Sequence, residues 1–336
     1  MALSTAIIVF IASAAVVAWA GTKLSRRADE LADATGLGEA IVGAVLLGGV
    51  TSLSGIITSI TAAAEGHPQL AMSNAVGSIA VQTAFLGLAD LVHRRANLEH
   101  AAASVPNLFQ GVLLIVLLTL ALLASNGGMG AVWAVSPVSV AVVLVYGLGL
   151  KLAHDAGRAP MWHATRTSET VEDVPPPEGP PPVRRILPAF LALAALTAAG
   201  GYLLARTGAV LVAETGLSGV FVGSVLTGIT SSLAELITTI AAVRQGALTL
   251  AVGNIVGGNT FDTLFLAFAD VAYREGGIYA AASADQLFII ELTILLTAVL
   301  LLGLLHRQKY GAGNVGWESP LIMALFLGGY AWIFAG

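Results

Sequence analysis

Two carboxylates stand inside stretches that are otherwise apolar. Glu235 lies in Ser232-Leu233-Ala234-Glu235-Leu236-Ile237-Thr238, and Asp262 closes Gly253-Asn254-Ile255-Val256-Gly257-Gly258-Asn259-Thr260-Phe261-Asp262. A carboxylate deep in an apolar span costs several kcal/mol unless it has a partner or a task. The runs 48–55 and 228–235 each interrupt apolar sequence with glycine and hydroxyl residues. An unwound turn there would free backbone carbonyls, which is tolerated at membrane depth only against protein or a wet cavity. Hard cations take about six or more oxygens from carboxylates, carbonyls, amides and hydroxyls. The chemistry these residues offer is therefore the binding of a hard cation. The chain has no cysteine, and its six histidines fall in loops or near span ends. No zinc-site or serine-triad spacing is present, so the chain reads as a non-enzyme with no resident cofactor.

The elements that must position these groups follow from composition. Of 336 residues, 57% are hydrophobic and 10% charged, with a mean hydropathy of +0.86. Ordinary soluble domains carry roughly 25% charged residues, so lipid must be the solvent for most of this chain. A net charge of −5 gives no reason to expect a nucleic-acid partner. The partners implied are membrane lipid and small inorganic cations; nothing in the sequence sets an oligomeric state. The first apolar run, 2–20, has no basic residue before it and reads as a mature helix rather than a cleaved signal.

A spanning helix needs about 20 apolar residues. Ten such runs occur, near 2–22, 37–64, 69–93, 106–125, 131–152, 185–206, 215–244, 248–273, 285–306 and 317–335. The stretch 153–184 between the fifth and sixth contains the proline-rich run 174–182 and reads as an extended linker. Thirteen of the fifteen Lys and Arg residues follow odd-numbered spans; only Arg206 and Arg274 follow even ones. That bias places the linker in the cytoplasm and both termini outside.

Residues 35–94 align without a gap on 215–274, with 26 identities in 60 positions at a constant offset of 180. Matches at Ser52/Ser232, Asn74/Asn254, Gly77/Gly257 and Asp90/Asp270 are not what two random apolar segments would share. The offset contains five spans, an odd number, so the second copy must be upside down relative to the first. The expected fold is an all-α membrane protein with ten transmembrane helices as two inverted five-helix repeats. Its parts are a first repeat at 1–152, the linker at 153–184 and a second repeat at 185–336.

With these residues in view, the chain resembles the cation/Ca2+ exchanger superfamily, which includes the Na+/Ca2+ exchangers. The family pattern is roughly Gly-Thr-Ser-Leu-Pro-Glu, then Gly-Asn-x-x-Gly-Ser-Asn-x-x-Asp or Asn. Residues 232–238 and 253–262 carry it in the second repeat, and 51–55 and 73–82 in the first. The resemblance implies that Glu235 is the main cation ligand and Asp262 its companion. It also implies Ser231, Ser232, Thr51, Ser52, Ser78 and Gln82 as further oxygen ligands.

The departures from the pattern shape the expectation. Gly55 stands where the first repeat should carry its own glutamate, and Gln82 where Asn or Asp is usual. Gly258 replaces a serine, and Ser54 and Ala234 replace the helix-breaking prolines. Both site carboxylates thus come from the second repeat. The function implied is a secondary-active antiporter in a prokaryotic-type cell membrane, exchanging Na+ or H+ for a cation, with Ca2+ the family's cargo. The missing glutamate leaves open the same fold with another cargo: a monovalent cation, Mg2+ or a coupled solute. It also leaves open a transport-inactive scaffold or sensor.

Other polar residues read as structural or stay open. Asp90 with Arg94, and Asp270 with Arg274, are i,i+4 pairs near span ends. Asn74 and Asn254 could bridge the broken helices or face the ions. Glu65 and His67 fall in a short turn, and Glu291 reads as an interfacial or helix-paired acid.

Overall fold

A computed structural model describes residues 1–35, 52–93, 96–102, 104–127, 130–158, 165, 167, 182–245 and 248–335. Thr51, the start of the second expected span, Arg94, Arg95 and most of the linker lie outside the described residues. In chain order the helices are α1 Leu3–Thr35, α2 Leu53–Ala64, α3 Pro68–His93, α4 Leu98–Ala102, α5 Val105–Asn126 and α6 Pro137–Arg158. They continue as α7 Val183–Thr215, α8 Gly219–Ser231, α9 Leu233–Gln245, α10 Leu248–Asp262, α11 Leu264–Ala272, α12 Ala284–His306 and α13 Glu318–Ala335. Among the described residues, eight helices are long and apolar enough to cross a membrane, and nine if α8 and α9 form one broken span. Residues 53–64 of the remaining expected span form the shorter apolar helix α2.

Local sequence sets the helix ends. Ser104 accepts the Asn107 N–H and Pro106 follows in the first turn of α5, so both suit a helix start. Ser283 and Gln286 cap α12 reciprocally. Gly216 ends α7 in the left-handed region at φ 72°, which glycine adopts without strain. Both α1 and α7 have 33 residues and run well past the spans drawn from hydropathy.

Burial separates centre from periphery. Over an 18-residue apolar stretch of each, 83% of the residues are buried in Pro68–His93 and 78% in Ala251–Ala272, against 22% in Val183–Thr215 and 28% in Leu3–Leu24. α3 and α10–α11 are therefore the central helices, while α1 and α7 lie along each other at the edge. α7 packs on α2, and α1 on α9. Exposed Ile8, Ile11, Leu144, Leu191 and Leu302 give the periphery an apolar surface suited to lipid.

The centre is held by contacts that need small residues. A Cβ built on Gly223 would lie 2.6 Å from the Ser73 Cβ, and one on Gly201 2.5 Å from the Ser54 carbonyl oxygen. At these two places helix backbones touch, as in small-residue packing between membrane helices.

Two buried aspartates brace opposite ends of the central helices. Asp90 accepts the Leu98 and Gly316 N–H groups and the Ser319 hydroxyl. Asp270 accepts the Ile278 and Ser136 N–H groups and the Ser139 hydroxyl. Donor for donor, the two sets match at the offset of 180. The expected Asp270–Arg274 pairing gives way to this arrangement. The Asp270 oxygens are filled by donors from other elements, and Arg274 donates to the Trp133 carbonyl at 3.4 Å. Glu65 pairs with Arg206 at 2.6 Å, and Glu291 is exposed on α12.

Candidate cation-binding site

Ser52, Ser231, Ser232, Glu235 and Asp262 sit at or beside helix breaks, while Ser78 and Gln82 face them from the middle of the continuous helix α3. Ser232 separates α8 from α9, which bend by 42°, and has φ −96° and ψ 4°. Ser52, its counterpart at the offset of 180, precedes α2 with φ −85° and ψ 5°. Both occupy the bridge region between helix and strand, sparsely populated and common at functional sites. Upstream of Ser232, residues 222–227 form a π-helical turn, another frequent marker of such sites. Asp262 is the last residue of α10, with Thr263 interposed before α11.

The breaks are laced together by hydrogen bonds across the two copies. Ser52 Oγ donates to Asp262 Oδ1 at 2.5 Å. Gln82 Nε2 donates to Asp262 Oδ2 at 2.8 Å and to Ser232 Oγ at 3.1 Å. Positions 52 and 232 correspond, as do 82 and 262, so each break serine meets the other copy's 82/262 position. Ser78 Oγ lies 3.3 Å from Ser231 Oγ and donates to the Asn74 carbonyl at 2.6 Å. Ser54 Oγ donates to the Ser231 carbonyl at 3.4 Å. Ser52, Ser78, Gln82, Ser231, Ser232 and Asp262 thus form one buried polar cluster.

Glu235 follows Ser232 by three residues, in the first turn of α9, and is 1% exposed. Ala234 packs against α1, where a Cβ on Gly21 would lie 2.9 Å from its own. The cluster is rich in oxygen, and not all of it is satisfied: Gln82 Oε1 is buried without a hydrogen-bond partner. An amide oxygen so placed is an available cation ligand or an open acceptor. These donors are all hard oxygen, and they suit Na+ or Ca2+ rather than a soft metal. No group of three His, Cys, Asp and Glu residues among the described ones is arranged to hold a metal. Hydroxyls, an amide and carbonyls supply most of the oxygen gathered around Asp262.

The position left by the missing glutamate is filled. A Cβ on Gly55 would meet Phe265 Cε2 at 2.6 Å and Cζ at 3.2 Å. Phe265 is 1% exposed and packs edge-on against Phe261, which meets Tyr146 in the same way. Gly258 leaves room instead: a Cβ there would sit 3.7 Å from Gln82 Oε1.

The asparagines bridge the broken helices. Asn74 Nδ2 donates to the Gly55 carbonyl and Ser59 Oγ, tying α3 to α2. Asn254 Nδ2 donates to Thr238 and Thr239, tying α10 to α9. Two further residues join the polar core without having been singled out from sequence. Asn259 Nδ2 donates to Thr83 Oγ1 at 2.9 Å, and both residues are buried. Asn259 lies inside the Gly-Gly-Asn-Thr-Phe-Asp run, which was the available signal; nothing marked Thr83 or Phe265.

Known proteins share this fold. At 26% identity over 314 residues, the chain is similar to a protein of Alkalimonas amylolytica that carries the name antiporter CaxA, with 92% of each covered. Its fold is similar to that of the H+/Ca2+ exchanger CAX, with a TM-score of 0.71 at 15% identity over 98% of this chain and 82% of that one. It is also similar to YfkE, with a TM-score of 0.68 at 15% identity, covering 97% and 92%. The sodium-calcium exchanger NCX_Mj gives 0.61 at 17% identity, covering 99% and 100%. The family profile described as sodium/calcium exchanger protein matches residues 5–150 and 186–336, leaving out the proline-rich stretch between them. With both halves matched and the apolar spans to hold them in a bilayer, this integral membrane protein belongs to the sodium/calcium exchanger family.

Proposed function

We propose that the protein is a secondary-active cation antiporter that exchanges Na+ or H+ for a cation, with Ca2+ as the main cargo. The observation that carries this reading is the burial of Glu235 and Asp262, each 1% exposed, at helix breaks lined by serine hydroxyls and an amide oxygen. Two such acids inside a membrane protein need a task. Glu235 is the main ligand and Asp262 the second. Ser52, Ser78, Gln82, Ser231 and Ser232 complete the oxygen shell, with Thr51 beyond the described residues. The antiporter name of the Alkalimonas relative and the exchange activities named for CAX and NCX_Mj support the same reading.

The architecture that goes with it is ten spans in two inverted five-helix repeats, 1–152 and 185–336, joined by the cytoplasmic linker 153–184 with both termini outside. The matched donors on Asp90 and Asp270, at opposite ends of the central helices, support the inversion. Alternating access follows from movement of α1 and α7 across the broken helices.

A second reading keeps the fold and changes the cargo to a monovalent cation or Mg2+. Phe265 favours it, because its ring stands where a second glutamate would project. Ion flux in reconstituted vesicles decides, run with Na+, H+ and K+ gradients against Ca2+ and Mg2+. Ca2+ flux that is lost in Glu235→Gln, with the fold intact, supports the first reading. Flux of another cation with none of Ca2+ supports the second, and no flux of any cation defeats both in favour of a scaffold.

A further inference from the structure

The end of the molecule built by the α3 C-terminus, α4 and the α13 N-terminus holds three buried carboxyls. Asp90, Glu99 and Glu318 are each 0% exposed. Asp90 is satisfied by three donors. Glu318 Oε1 accepts from Asn97 Nδ2 at 2.5 Å, and Asn97 Oδ1 accepts the Glu99 N–H at 3.0 Å. Glu318 Oε2 and both Glu99 side-chain oxygens remain, and none of them receives a hydrogen bond from a protein donor. The Glu99 and Glu318 carboxyls lie against one another. Glycine makes this possible: a Cβ on Gly303 of α12 would lie 2.5 Å from Glu318 Cγ.

Two ionised carboxylates sealed face to face repel, and burial penalises each charge. A single proton taken from water removes one charge and supplies the O–H donor that the other carboxylate lacks. A metal fits less well. The Asp90 oxygens are already filled, a hard cation wants about six ligands, and no three acids or histidines among the described residues are arranged to hold one. We propose that Glu99 and Glu318 form a proton-binding site, a carboxyl–carboxylate pair separate from the cation site that clamps α4 to the start of α13.

Burial, and then the charges of Asp90 and Glu318, push the Glu99 carboxyl well above the usual glutamate range. Among the described residues, the other titratable or charged groups on the elements packed around it are Asp90 and His93 on α3, His100 on α4, and His306, Arg307 and Lys309 at and beyond the end of α12. Arg307 directs its guanidinium to the His100 and Thr165 carbonyls, and His100 meets the Arg307 carbonyl and Thr167. α10, which packs on α4, brings only Asp262, which belongs to the cation site.

The opposite end lacks this device. There Asp270 has the same three donors as Asp90, but Tyr279 stands at the position of Glu99, Val138 at that of Glu318 and Gly277 at that of Asn97. Among the described residues the pair is thus built at one end and not at the other, just beyond the C-terminus of α3, the helix that carries Gln82. Its effect on transport rests on the antiporter reading; the proton site itself does not.

The test is thermal unfolding of the purified full chain from acidic to alkaline pH, for wild type, Glu99→Gln and Glu318→Gln. A folded pKa raised above the unfolded one gives stability that is complete at low pH and lost as pH rises through the raised value. Wild type is expected to lose melting temperature as pH rises. Glu99→Gln, which mimics the protonated acid at every pH, should flatten that loss and exceed wild type at alkaline pH. Parallel profiles for wild type and Glu99→Gln would overturn the proposal. So would a rise in wild-type melting temperature with Ca2+ or Mg2+ that Glu99→Gln abolishes, because the pair would then be a metal site. If neither Gln variant accumulates, infrared spectroscopy of Asp262→Asn/Glu235→Gln at neutral pH decides. A protonated-carboxyl stretching band there supports the proposal, and its absence overturns it.

Discussion

Gly55 and Phe265 make a quantitative test of how the cation site is packed. In an open helical position, glycine to alanine gains about 1 kcal/mol of helix propensity. At Gly55 the new Cβ would lie 2.6 Å from Phe265 Cε2, so the ring must retreat by close to an ångström to reach ordinary contact. Phe265 is boxed in by Phe261. Overpacking of this kind costs about 1–3 kcal/mol, which matches or outweighs the propensity gain. Gly55→Ala is therefore expected to be neutral or to destabilise by up to about 2 kcal/mol. Phe265→Ala alone should cost about 3–5 kcal/mol through its cavity. In that background Gly55→Ala should turn stabilising by about 1 kcal/mol, a coupling of about 1–3 kcal/mol, well above the ~0.5 kcal/mol scatter of independent sites. Denaturant unfolding of the four proteins in one detergent measures the cycle. A stabilising Gly55→Ala in the wild-type chain, or costs that simply add, would refute the account. The same geometry governs the carboxylate. Gly55→Glu should fail to improve Ca2+ binding alone, and Gly55→Glu/Phe265→Ala should improve it, as read by calorimetric titration.

Two further variants probe the polar core. Gly258→Ser has room at 3.7 Å from Gln82 Oε1 and can donate to that open acceptor, so stability should rise by up to about 1 kcal/mol; a lower melting temperature would show that the acceptor is not available. Asp270→Asn turns an amide N–H₂ toward backbone N–H groups and should cost about 1–3 kcal/mol. Asp90→Asn loses the same three donors but also removes a charge beside Glu99, so it should cost no more than Asp270→Asn, and a larger loss would break the account of the two ends.

Much of this organisation is legible in the sequence for physical reasons. The break before α9 was visible in Gly228 and the hydroxyl run that follows, because glycine and serine weaken a helix locally. The cluster of Ser52, Gln82, Ser232 and Asp262 was visible because buried polar side chains are rare in apolar spans. Partner choice was not. Asp270 has an arginine four residues on, yet it takes backbone N–H groups and Ser139, which come from segments distant in sequence. Phe265 was silent for a different reason: a phenylalanine in an apolar span carries no mark, and only the neighbouring glycine across the fold gives it meaning. Glu99 and Glu318 carry no mark either: what closes over Glu318 is Gly303 of α12 and Asn97, 221 residues away, and neither partnership shows in the local sequence.

At about 1.5 Å per residue a 33-residue helix is about 50 Å long, while the hydrocarbon layer is about 30 Å thick. The apolar part of α1 is Leu3–Leu24, 22 residues or about 33 Å, which fills that layer by itself. The remaining turns, from Ser25 onward and carrying the Arg27–Glu30 pair, must stand out of the bilayer as a rigid stalk or force the helix to tilt steeply. α7 has the same length. Both rods pack on the broken helices, so a change of bilayer thickness will act on their tilt like a hand on a lever. Lipid chain length thereby bears on how these two rods stand against the broken helices.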